Sequence, residues 1–145
     1  MNFFAFFVTV VIAAFAGLAT ADTLQYDTAY DDANASLSTV ACSDGSNGLL
    51  TKGYSTFGSL SSFPNIGAFG VIEGYNSANC GTCWQITYSS NGASTTLNVL
   101  AIDHAGEGLI NVSEEAMNTL TNGNAVAFGA VTVSAVQVDA SGCGM

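Results

Sequence analysis

The stretch Trp84-Gln-Ile-Thr-Tyr88, Ser89-Ser-Asn-Gly-Ala93, Thr95-Thr-Leu-Asn-Val-Leu-Ala-Ile-Asp103 decides how the chain folds. Trp84, Ile86 and Tyr88 alternate with polar residues, the period of a half-buried strand, and predict a buried Trp84. Ser89–Ala93 reads as a hairpin turn. The strand that follows becomes apolar on both faces towards Asp103, so its far end is expected to be covered on both sides. Outward from this hairpin, Leu24, Tyr26, Thr28 and Tyr30 alternate, and so do Phe69, Val71, Glu73 and Tyr75. The last strand, 130–139, carries Val131 and Val133, then Val136 and Val138; that change of phase predicts a bulge near Ser134-Ala135. One helix interrupts the strands. Ser113 is its expected N-cap, Glu114 and Glu115 suit the positive end of its dipole, and Ala116, Met117 and Leu120 form an apolar face that stops at Asn122-Gly123. Many short strands with one or two short helices define a mainly β chain. Closure into a barrel removes edges that would otherwise aggregate, and the sixteen glycines suit tight corners.

Composition narrows the function. Of 145 residues, 49 % are hydrophobic and 8 % charged; eleven are Asp or Glu against a single cation, Lys52, for a net charge of −10. Such a chain cannot neutralise a phosphate backbone, so nucleic acid and anionic membranes are excluded as partners and acidic ligands are disfavoured. The length suits one domain with enough apolar residues for a core. Residues 1–21 are almost wholly apolar and end in Ala19-Thr20-Ala21, the small-x-small pattern of a secretory signal cleaved before Asp22. The run is short for a membrane span and lacks a basic flank; only the terminal amine supplies a positive charge. The expected organisation is therefore a signal over 1–21 and one secreted domain over 22–145, with no membrane span after cleavage.

Secretion makes disulfides the natural state of Cys42, Cys80, Cys83 and Cys143. Spacing limits the pairings without fixing them. Cys80-Gly-Thr-Cys83 has the form of a redox motif, but a strand follows it, whereas a redox cysteine wants a helix N-terminus to hold its thiolate. Zinc is unsupported, because Cys42 and Cys143 each lack a second ligand nearby. No metal or cofactor is expected.

Catalytic options are few. The one histidine, His104, sits beside Asp103, but adjacent side chains on a strand point to opposite faces and no nucleophile elbow is present. Glycoside hydrolysis needs two carboxylates, one of them protonated. Asp103 is the candidate acid, since it ends an apolar strand where partial burial would raise its pKa. Glu107, Asp44 and Asp27 are available as partners, yet nothing in the sequence places any of them opposite it. Tyr26, Tyr30, Tyr54, Tyr75, Tyr88 and Trp84 offer flat faces with polar edges, and Asn and Ser add neutral hydrogen bonds, an inventory that fits neutral polysaccharide. Asn34-Ala-Ser36 and Asn111-Val-Ser113 match the glycosylation acceptor pattern.

Taken together, Gln25-Tyr-Asp-Thr-Ala-Tyr-Asp-Asp32, Ser38-Thr-Val-Ala-Cys-Ser-Asp-Gly45, Leu50-Thr-Lys-Gly-Tyr54, Thr56-Phe-Gly-Ser-Leu60, Asn79-Cys-Gly-Thr-Cys-Trp84, Ala101-Ile-Asp-His104 and Ala116-Met-Asn-Thr-Leu-Thr-Asn-Gly123 closely resemble the cerato-platanin family of small secreted fungal proteins. The likeness covers the whole mature chain in order. It implies a double-psi β-barrel related to expansins and certain endoglucanases. It implies bridges from Cys42 to Cys80 and from Cys83 to Cys143, which sets the redox pairing aside. It also implies a secreted, non-catalytic wall protein that binds chitin or N-acetylglucosamine oligomers, or another β-linked polysaccharide, and loosens it. Self-assembly at interfaces and a plant receptor behind an elicited defence response belong to the same implication. The sugar contacts are expected from Asp103 with Tyr26, Asp44, Asn47, Tyr54, Asn76 and His104. Asp103 matches the acid of the related endoglucanases, but the family lacks the partner base, and a lone acid can bind hydroxyls without activating water. The alternative is a weak endoglucanase-like hydrolase acting through Asp103.

Overall fold

A computed structural model describes residues 20–145, so the expected signal lies outside the described residues except for Thr20 and Ala21. Its strands are β1 (Thr20–Tyr26), β2 (Ile66–Phe69), β3 (Cys83–Ser90), β4 (Ala93–His104), β5 (Leu109–Val112) and β6 (Ala130–Val138). They close a barrel in the order β1-β5-β2-β4-β3-β6. β1 runs parallel to β5 and β2 parallel to β4, while the remaining neighbours are antiparallel. The architecture is the expected double-psi β-barrel, with two short helices, α1 (Glu114–Thr121) and α2 (Ala125–Phe128).

The β3–β4 hairpin forms as its sequence dictates. Asn91 and Gly92 take φ of 51° and 77°, the left-handed pair that a two-residue turn needs to match strand twist. Pairing then runs unbroken from Ser90↔Ala93 to Cys83↔Leu100. Val99, Leu100, Ala101 and Ile102 are all fully buried, which explains why this end of β4 is apolar on both faces. Against β2 the register jumps from Gly67↔Ala101 to Ala68↔Asp103, leaving Ile102 as the extra residue of a bulge immediately before Asp103. Gly67 is required there, since a Cβ would lie 2.3 Å from the Asn111 carbonyl oxygen.

Helix α1 is capped twice. Ser113 Oγ accepts from the Ala116 N–H at 3.0 Å and donates to the Pro64 carbonyl at 2.6 Å. The Asp31 carboxylate accepts from the N–H groups of Glu114 and Glu115 at 2.8 and 3.1 Å. Ala116, Met117 and Leu120 are buried, and the helix stops where Asn122 turns left-handed at φ 54°.

Four expectations need correction. Strand β1 stops at Tyr26, because Asp27 Oδ1 accepts the Ala29 N–H at 2.9 Å and starts a 3-10 turn over Thr28–Asp31 that turns Tyr30 inward. The strand expected over 69–75 is only Ile66–Phe69; Val71 and Tyr75 belong to turns and Glu73 to the irregular chain between them. No bulge occurs at Ser134-Ala135: β6 pairs continuously with β1 and β3, Val133 and Ala135 stay buried, and Val136 simply lies on the outer side. Trp84 is half-buried rather than enclosed, with its Nε1 donating to Thr82 Oγ1 at 2.9 Å. The disulfides join Cys42 to Cys80 and Cys83 to Cys143, so Cys80 and Cys83 do not pair with each other.

Candidate functional site

Asp103 ends the buried part of β4, at the point where the chain emerges from the barrel wall. Three donors hold its carboxylate. The Tyr30 hydroxyl reaches Oδ2 at 2.9 Å, and Oδ1 accepts the N–H groups of Ala41 at 2.9 Å and His104 at 2.8 Å. Each contact depends on a different element. Tyr30, only 7 % exposed, is carried by the 3-10 turn and packs on Phe57 at 6.0 Å between ring centroids. Ala41 is fixed by the next residue, because the Cys42 N–H donates to Ile102 O at 3.1 Å and Cys42 is bridged to Cys80. Burial, followed by the charge and acceptor of Asp103, pushes the Tyr30 phenol well above its ordinary range, so it remains a donor.

His104 follows on the outer side. Its Nδ1 faces the Ile72 carbonyl, which can only accept, so Nδ1 carries the proton and Nε2 is left as an acceptor. The ring is thereby oriented and the residue is exposed.

A second group joins two loops through the Cys42–Cys80 bridge. Asn47 N–H donates to Asn76 Oδ1 at 2.9 Å, and Asn47 Nδ2 donates to the Asn76 carbonyl at 3.0 Å. Asn76 is left-handed at φ 57°, and Gly45 leaves it room, since a Cβ on Gly45 would stand 2.7 Å from Asn76 Oδ1. The Tyr75 hydroxyl is raised chiefly by its hydrogen bond to Asp44, and its ring is 65 % exposed.

Of the residues expected to contact sugar, the structure thus assembles Asp44, Asn47 and Asn76 in one loop pair and Asp103 with His104 at the end of β4. The two are connected through Cys42 and the 69–76 segment. Tyr26 and Tyr54 are not drawn in: both pack half-buried on the core, with no hydrogen bond to the others among the described residues. Of the carboxylates considered as partners for Asp103, Asp27 caps the 3-10 turn and also acts on the Tyr30 phenol that donates to Asp103, Asp44 acts on Tyr75, and Glu107 borders the cavity lined by Trp84. Tyr30 and Tyr75 belong to the site although nothing in the sequence pattern sets them apart from the other aromatics. Tyr30 lies 73 positions from Asp103, and the Ala41 N–H is a backbone donor with no sequence signature.

Chemically, Asp103 Oδ1 is filled by two N–H groups, so the acceptor position left open is on Oδ2, beside the Tyr30 hydroxyl. The arrangement offers fixed acceptors, amides and a planar phenol ring, which are groups suited to neutral hydroxyls and acetamides.

Comparison with known proteins places these features in a family context. The family model described as cerato-platanin matches residues 22–145. The "Heat-stable 19 kDa antigen" of Coccidioides immitis (strain RS) is 42 % identical over 128 residues, covering 88 % of this chain and 84 % of the relative. The crystal structure of cerato-platanin 3 from M. perniciosa superposes with a TM-score of 0.81 at 54 % identity, covering 87 % of this chain and all of that one. The solution structure of the fungal elicitor Cerato-Platanin gives 0.71 at 39 % identity, over 83 % of this chain and 95 % of its own.

Proposed function

This chain belongs to the cerato-platanin family, and on that footing we propose that it is a secreted, non-catalytic fungal wall protein that binds chitin-type oligosaccharides and loosens the polymer without cutting it. The observation that carries the reading is the Asp103 carboxylate, held by three donors beside the oriented His104 ring. One sugar hydroxyl donates to the remaining acceptor position on Asp103 Oδ2 and another to His104 Nε2. The Asn47–Asn76 pair and the open face of Tyr75 extend the surface with groups that suit an acetamide and a pyranose ring. The charge of −10 leaves an uncharged or cationic polymer as the compatible target. Hydrolysis would need a second carboxylate placed across the glycosidic bond from Asp103.

Chitin and cellulose pull-downs test the proposal: chitin should retain the protein, and Asp103→Ala should lose most of that retention. Equal retention of the variant refutes the assignment of the site. Reducing ends released by the wild type and lost in Asp103→Asn would instead establish the hydrolase. The related Cerato-Platanin is a fungal elicitor. A defence response to this chain that survives Asp103→Ala would place recognition by the plant on a loop outside the Asp103 cluster.

A further inference from the structure

A cavity of about 420 Å³ opens between the barrel strands away from Asp103. Phe69, Val71, Trp84, Leu109 and Val136 supply its apolar walls. It shares no lining residue with the Asp103 cluster. The 69–72 turn divides the two, with Val71 lining the cavity while the Ile72 carbonyl takes His104. Val71 and Val136 remain 39 % and 37 % exposed and lie at the mouth of the cavity. The indole is oriented: Nε1 donates to Thr82, and the ring stands 6.0 Å from Phe69 at 30°. Asp22 and Glu107 border the opening, and among the described residues no Lys, Arg or His side chain lines it. Lys52 lies elsewhere, with its Nζ 3.2 Å from where a Cβ on Gly81 would stand.

We propose that this cavity binds a small hydrophobic cation, such as an aryl or alkyl ammonium. The apolar body of the ligand replaces water against Val71, Leu109 and Val136, while the ammonium lies against the half-buried Trp84 ring and towards Glu107. An anionic amphiphile of the same size meets the carboxylates and the overall charge of −10 and is rejected. Glu107 carries the selectivity for charge.

Trp84 is the chain's single tryptophan, so its fluorescence reads the cavity directly. The secreted protein is titrated with benzyltrimethylammonium, with its uncharged carbon isostere neopentylbenzene, and with benzenesulfonate. The cation should change the emission saturably, and at lower concentration than either of the others. Glu107→Gln, a surface change that leaves the barrel intact, should weaken the cation about five-fold, in proportion to one near-surface charge contact, and leave the isostere unchanged. Val136→Lys, with far-UV circular dichroism to verify the fold, should abolish cation binding by placing an ammonium in the mouth. No saturable change, equal or tighter binding of the isostere or sulfonate, or a Glu107→Gln variant that binds the cation as the wild type does would overturn the assignment.

Discussion

Replacing Tyr30 with Phe keeps the ring against Phe57 and removes a single hydroxyl, the donor to Asp103 Oδ2 at 2.9 Å. A hydrogen bond to a charged group is worth about 1.5–3 kcal/mol. Asp103 is only half-buried and water can take the place of the lost donor, so the lower end applies, about 1.5 kcal/mol at pH 7. The pH dependence is the sharper part. Tyr30 is raised in the folded protein by burial and by Asp103, so the folded state retains a proton that the unfolded chain loses near the usual tyrosine value of about 10. Its contribution is therefore fully present below pH ~10 and is lost above it by about 1.4 kcal/mol per pH unit. Phe does not titrate, and the remaining tyrosines are common to both proteins. Urea unfolding with the disulfides intact, followed by Trp84 fluorescence, should show Tyr30→Phe less stable by about 1.5 kcal/mol at pH 7 and nearly equal to the wild type at pH 11. A gap that stays constant from pH 7 to 11, or no gap at pH 7, refutes the coupling of Tyr30 to Asp103.

The remaining consequences concern the scaffold and its charge. Ser113→Ala removes both a buried cap acceptor and the donor to Pro64, and should cost about 1–2 kcal/mol in urea unfolding, more than Thr119→Ala on the exposed face of the same helix. The bridges span 38 and 60 residues, so chain entropy assigns each about 4 kcal/mol; reduction should bring a sharp drop in melting temperature, seen by calorimetry with and without reductant. Binding to chitosan, a weakly cationic polymer, should weaken as salt rises from ~0.01 to ~1 M, where the screening length shrinks from about 30 to 3 Å, whereas binding to fully acetylated chitin should hardly change.

Local signals were readable in the chain, and non-local ones were not. Asn91-Gly92 and the alternation on either side determine the hairpin, and the Ser113 and Asn122 ends bound the helix, because in each case the deciding contacts lie within a few residues. Alternation misled where a polar residue redirected the backbone: Asp27 ends β1 early, and the Val71–Tyr75 pattern falls on turns and irregular chain. The valine phase in β6 mimics a bulge because Ala135 fills the buried position and Val136 lines the cavity mouth; the actual bulge lies at Ile102, where a run of buried residues hides it. At the candidate site, Asp103 stood out as a polar end to an apolar strand. Its partners did not, since one is a tyrosine 73 positions away and two are backbone N–H groups. The association of Asn47 with Asn76 likewise depends on a bridge whose pairing spacing alone left open.

The most direct measurement is a 1H-15N titration of the secreted protein with a chitin hexamer. Saturable shifts should appear at Ala41, Asp103 and His104, together with Asn47 and Asn76, and should be absent at those positions in Asp103→Ala. A spectrum unchanged around Asp103, or shifts confined to other faces of the barrel, would contradict the carbohydrate-binding account.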